Sequence, residues 1–125
     1  MNLCPYCFKE GKLVTGEKIY PHRADLYHLH FWLCEPCDAY VGCHRPNEKH
    51  NRDGTESLGT MANSSLRRLR NAVHKEFDLL WKEGGLKRVE AYLWLSAELN
   101  INSDDCHVAL FDAATCREAL EVLAR

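Results

Sequence analysis

Apolar positions recur along this chain in two different rhythms. Over residues 27–33 they alternate, with Tyr27, Leu29, Phe31 and Leu33 on one side, the period of a strand with one buried face. Residues 39–42 predict a second short strand. Residues 12–15 and 18–20 predict a hairpin around Gly16-Glu17. From Leu66 the rhythm changes. Leu66, Leu69, Val73, Phe77, Leu80 and Trp81 form one helical stripe, which Asn63 or Ser64 can cap and Gly84-Gly85 can end. A second helix over about residues 87–99 groups Val89, Tyr92, Leu93, Ser96 and Leu99, with Trp94 on the other side. Residues 106–111 read as a short extended run. Asp112 then caps a third helix that turns Cys116, Leu120 and Leu123 inward. Between the two rhythms, residues 44–60 are polar and hold Pro46, Gly54 and Gly59, a surface loop or linker. The pattern predicts an α+β chain. Residues 1–43 form a ribbon of short antiparallel strands, 44–62 a polar loop or linker, and 63–125 a small three-helix domain.

Composition narrows the function classes. The chain has 125 residues, 46% of them hydrophobic, and a formal charge of −2. No run nears the roughly 18 apolar residues of a membrane helix, and the start lacks a signal-peptide core. Both point to the cytoplasm and away from membranes. The charge is uneven. Residues 1–75 hold 11 Lys/Arg against 8 Asp/Glu, and residues 76–125 hold 5 against 10. A near-neutral protein is no general polyanion binder, so any nucleic-acid contact falls to a local basic patch.

Seven cysteines change the picture most. The odd count argues against a pure disulfide framework, and clustered thiols in a reducing cytosol bind metal. Cys4-Pro-Tyr-Cys7 and Cys34-Glu-Pro-Cys37 are two C-x2-C pairs with 26 residues between them. Each pair brings two thiolates to one side of a tight turn, and Pro5 and Pro36 stiffen those turns. Four thiolates satisfy a tetrahedral Zn²⁺ and leave no open position for water, so the site is structural. Iron in an all-sulfur site is the alternative. The ribbon has few apolar residues of its own, and metal binding supplies its missing folding energy, of order 10 kcal/mol. Cys43, His44 and His50 are candidates for a second site, against which stands a packed Cys43 with solvated histidines.

The first long helix is positive in its first half, through Arg67, Arg68, Arg70 and Lys75. Basic residues at a helix start oppose the macrodipole, so they serve either an anionic partner or a solvated face. Arg45 and Arg52 in the polar loop join them as contact candidates. His74 has Asp78 four residues on, a pair that can orient an imidazole, but no nucleophile accompanies it. Trp94 is either core or an exposed contact. No catalytic residue and no small-molecule substrate emerge, since phosphate loops, nucleophile elbows and paired carboxylates are absent.

The strings CPYC, WLCEPCDAYVGCH, SLGTMA, LRRLRNAVHKEFD, AYLWL and HVALFDAATC, in that order, resemble the zinc-finger-containing family of unknown function common in phages and prophages. That resemblance spans nearly the whole chain. It implies Cys4, Cys7, Cys34 and Cys37 as ligands of one structural zinc ion. It also places Cys43, His44, Arg67, Arg68, Arg70, His74, Phe77, Asp78, Tyr92, Trp94 and Leu95 on motif positions. Phe8 departs from the pattern, standing where glycine commonly follows the first Cys pair. The function expected first is a phage or bacterial accessory protein that binds DNA, RNA or a nucleoprotein complex. It would use its basic helix face and ribbon, with Trp32, Tyr40 or Trp94 to stack on bases. A protein–protein adaptor or inhibitor of a host enzyme or defence complex is the alternative. A metal-dependent nuclease stands third, because its expected His and Asn positions do not line up.

Overall fold

The computed structural model describes residues 2–125, and the chain divides into units of residues 1–64 and 65–125. In the first, strands β1 (Lys12–Thr15), β2 (His30–Cys34) and β3 (Ala39–Gly42) form an antiparallel sheet in that order. Leu13 pairs with Trp32, and Trp32 with Val41. The alternation in β2 holds, since Phe31 and Leu33 are buried while His30 and Trp32 are half-buried.

The expected hairpin at residues 12–20 does not form. Gly16 opens a single helical turn, α1 (Gly16–Ile19), and a 3₁₀ turn at Ala24–Leu26 follows. The Gly16 amide then closes onto the Leu29 carbonyl at 2.8 Å. A Cβ at position 16 would lie 1.8 Å from the Leu26 carbonyl oxygen, so glycine is there for close approach and not for a two-residue turn. The strand predicted from residue 27 therefore starts at His30.

Residues 44–62 are not a free linker. The His44 amide donates to the Glu56 carbonyl at 2.8 Å, and Leu58 to Gly42 at 2.9 Å. Tyr40 and Ala62 exchange backbone bonds of 2.9 and 3.1 Å. The Trp32 indole N–H reaches the Thr55 carbonyl at 2.8 Å. These bonds satisfy the outer edge of β3 and carry Met61 into the core beside Cys4, Cys34, Ala39 and Val41.

The second unit is helical: α2 (Ser64–Phe77), α3 (Leu79–Lys82), α4 (Arg88–Leu99) and α5 (Ala113–Leu123). Backbone bonds from Asp78 to His74 and from Lys82 to Asp78, both 2.9 Å, carry the helical ladder across the α2–α3 joint. It stops where predicted, with Gly85 left-handed at φ +80. The Asp112 carboxylate caps α5 by accepting the Thr115 amide at 2.8 Å, and that bond holds its pKa below the usual range. The core contains Val73 and Phe77 of α2, Ala91, Leu95 and Leu99 of α4, and Cys116, Ala119 and Val122 of α5. Phe77 meets Tyr92 edge-on at 4.7 Å.

Three details depart from expectation. The buried face of α4 is rotated, leaving Val89 and Leu93 in solvent. In α5, Ala119 and Val122 join Cys116 inside while Leu120 and Leu123 are half-buried. Val108–Leu110 is a 3₁₀ turn and not extended. Cys106 and Cys116 are fully buried.

Candidate metal centre

Each Cys pair sits on a knuckle whose backbone turns back on itself. The Phe8 amide donates to the Cys4 carbonyl at 2.8 Å, and the Asp38 amide to the Glu35 carbonyl at 3.1 Å. In both knuckles the residue after the second cysteine is left-handed, Phe8 at φ 63 and Asp38 at φ 50. The first knuckle is tied to its own strand, with Leu3 bridging Glu10 and the Gly11 amide donating to the Asn2 carbonyl at 2.8 Å. The second joins β2 to β3. Pairing β1 with β2 therefore brings the two knuckles together.

The ligand sulfurs of Cys4, Cys7, Cys34 and Cys37 all lie within 4.8 Å of one another, and Cys7 Sγ is 3.6 Å from Cys34 Sγ. A tetrahedron with 2.3 Å Zn–S arms has edges of about 3.8 Å, so the cage has the size of that ion. Cys4 and Cys34 are buried and Cys7 and Cys37 half-buried, and four thiolates complete the coordination of a tetrahedral ion. A bond from the Lys9 backbone holds the Cys7 thiol down near about 7, whereas desolvation and the neighbouring thiols push Cys37 up to about 12. A dication resolves this conflict, because it favours the thiolate at all four positions.

No second metal group assembles among the described residues. Cys43 is half-buried opposite His30, its amide donating to the His30 carbonyl at 3.1 Å, and burial raises its thiol pKa. His44 contributes a backbone bond to Glu56, and His50 is exposed. His74 Nδ1 lies 3.4 Å from Asp78 Oδ1, and Lys82 Nζ 3.8 Å from Asp78 Oδ2, an i,i+4 ladder along the helix. Trp94 is exposed, as one of its two expected fates required.

The six proposed contact residues are divided between the two units. Arg45 and Arg52 belong to the first unit and the others to the second. Arg70 does not lie at the surface. It is 8% exposed, and its Nε donates to the Phe111 carbonyl at 3.0 Å. Its position lies midway between Leu66, Val73 and Phe77 on the helix, so the guanidinium is carried into the core and serves there as a tie. Arg52 is paired with Glu56 at 3.2 Å. Arg45, Arg68 and Lys75 are exposed, and Arg67 is half-buried. The charge asymmetry also disappears at the true boundary. The first unit has 7 basic and 8 acidic side chains and the second 9 and 10. Four thiolates around Zn²⁺ add −2 to the first.

Phe8 stands out in the sequence only as a departure from the family pattern. The structure shows it 75% exposed at the tip of the first knuckle, with the exposed Leu3 and Tyr6 on the same knuckle. A bulky residue directly after a C-x2-C pair was the available signal.

No helix among the described residues is long and apolar enough to cross a membrane. No curated protein and no solved structure matches the chain. A family model described as a zinc-finger-containing domain matches residues 1–125. The chain therefore belongs to the zinc-finger-containing domain family, with one structural zinc ion on Cys4, Cys7, Cys34 and Cys37.

Proposed function

We propose that this chain is a zinc-stapled binding module whose partner is a protein. The observation that carries the reading is Phe8. A non-glycine residue in the left-handed region costs roughly 1–2 kcal/mol, and an aromatic ring held in water gains nothing from folding. The left-handed turn is common to both knuckles, since Asp38 shares it; what supports a recognition role is the large apolar ring placed there and pointed outward. The balanced charge of both units supports a protein partner over a polyanion.

Phe8→Gly separates stability from binding. The variant is expected to be more stable than the parent by about 1 kcal/mol, measured by denaturant unfolding of the zinc-loaded protein. It is also expected to lose any stoichiometric protein that co-purifies with the parent. Retention of that protein by the stabilised variant overturns the reading.

Exposed Arg68 and Lys75 on α2, with no acidic partner among the described residues, favour nucleic acid as a second reading. If it holds, Arg68→Glu/Lys75→Glu abolishes a salt-sensitive oligonucleotide affinity. Arg70→Ala is expected to act differently, lowering stability by about 2 kcal/mol through the lost buried bond while leaving any such affinity unchanged. Thermal melts beside filter binding tell the two effects apart.

A further inference from the structure

We infer that the open edge of β1, with the groove beside it, docks an extended acidic segment of another protein by adding it to the sheet as a fourth strand. The inference rests on the protein-partner reading and names the chemistry of the partner.

The edge comes first. The far side of β3 is covered by residues 57–62 through the bridges to Ser57 and Ala62. The outer side of β1 has no strand against it among the described residues. Antiparallel ladders alternate, one residue facing its partner strand and the next facing away. The Gly16 amide bonds inward to Leu29, while the Gly11 amide bonds outward to Asn2. Leu13 and Thr15 therefore direct their N–H and C=O groups outward. Residues 2–3 already pair with 10–11 on this side, so an added strand continues an edge the N-terminal residues have begun.

The groove comes second. A cavity of about 450 Å³ lies against the sheet face that carries Lys12 and Val14. Its floor is Val14, Leu33 and Pro36, and Lys9, Lys12 and Lys18 stand around it. Lys18 is held by Glu35 at 3.2 Å. Lys9 and Lys12 have no acidic partner among the described residues. Glu10 and the zinc ligand Cys34 also line the cavity, and Lys9 and Lys12 are the cations there without an ion pair among the described residues. A strand added outside β1 places every second side chain over this groove. Acidic side chains there meet Lys9 and Lys12, and their methylene stems lie on Val14.

The edge chemistry decides between partner classes. Leu13 and Thr15 each offer one donor and one acceptor in alternation. A peptide strand answers both, whereas a phosphate backbone only accepts.

The test uses the zinc-loaded full chain and a labelled peptide of about eight residues that alternates glutamate with valine, beside the same peptide with lysine. The glutamate peptide is expected to bind at least about tenfold tighter, an advantage that shrinks with salt. Amide exchange at Leu13 and Thr15 is expected to slow on binding. Lys9→Glu/Lys12→Glu is expected to weaken binding about tenfold or more. Leu13→Pro should do the same with zinc content retained, since proline is tolerated where the N–H faces solvent. Equal affinity for the two peptides overturns the proposal. So does unchanged exchange at Leu13 and Thr15 in the unmodified chain, which needs no variant to fold. Displacement of the peptide by an equal concentration of single-stranded oligonucleotide overturns it as well. Phe8→Gly keeps both edge and groove, so the peptide still binds it. Failure of the edge therefore reads separately from failure of the knuckle-dependent partner.

Discussion

Chelation of zinc is expected to unfold the first unit and leave the helices of the second in place. The strands of the ribbon are only 4 or 5 residues long. Of the buried apolar residues clustered in its metal-side core, Cys4 and Cys34 are themselves ligands, leaving Ala39, Val41 and Met61. Phe31, Leu33 and Ala62 are the other buried apolar residues of the unit; ordering the backbone opposes folding by about 1–2 kcal/mol per residue, and these six side chains do not offset that. Structural zinc contributes on the order of 10–16 kcal/mol in small modules. Amide exchange reads the result directly, with protection of β2 and β3 lost in the apo chain while α2, α4 and α5 retain theirs. Cys34→Ser is expected to behave in the same way. Acid mimics the chelator, since the ligands bind as thiolates and release metal as they protonate. Full protection of β2 and β3 in metal-free protein would remove the basis for a stapled platform.

The second large effect lies at Phe77. Its side chain is fully buried and meets the Tyr92 ring edge-on. Phe77→Ala is expected to cost about 3–5 kcal/mol, with up to about 1 kcal/mol from the aromatic pair. A small helical unit has a net stability of order 5 kcal/mol, so the variant is expected to retain no more than about 2 kcal/mol there and to melt far earlier, while keeping its zinc. Leu93→Ala is the matched control. Leu93 is 55% exposed on α4, and its removal is expected to change stability by less than about 0.5 kcal/mol. Far-ultraviolet melts that superimpose for the two variants would show the core to be placed wrongly.

The four ligands were legible because two short cysteine spacings leave little choice of chemistry. The same holds for the Asp112 cap and the Gly84-Gly85 stop, where a local bond or a left-handed residue decides the outcome. What the sequence hid was tertiary. Gly16 was expected in a turn because glycine is common there, but its role is to admit the Leu26 carbonyl. Arg70 sits in the buried stripe of α2, where residue type alone assigns it to solvent. On α4, Leu93 and Val89 advertise an inward face, but the side that is buried holds Ala91, Leu95 and Leu99. Phe8 is the reverse case, a large apolar residue directed outward by its knuckle.

The closure at Gly16 bears on how far the cysteine pattern can drift. Residues 16–29 leave the sheet and return to almost the same point, joined by one bond from the Gly16 amide to the Leu29 carbonyl. Everything inside that excursion lies outside the path that sets the two knuckles against each other. The 26-residue interval between the Cys pairs is thus an attribute of the detour and not a dimension of the metal cage. Other members can shorten or lengthen it, provided the residue at the neck remains small enough for the returning chain to pass.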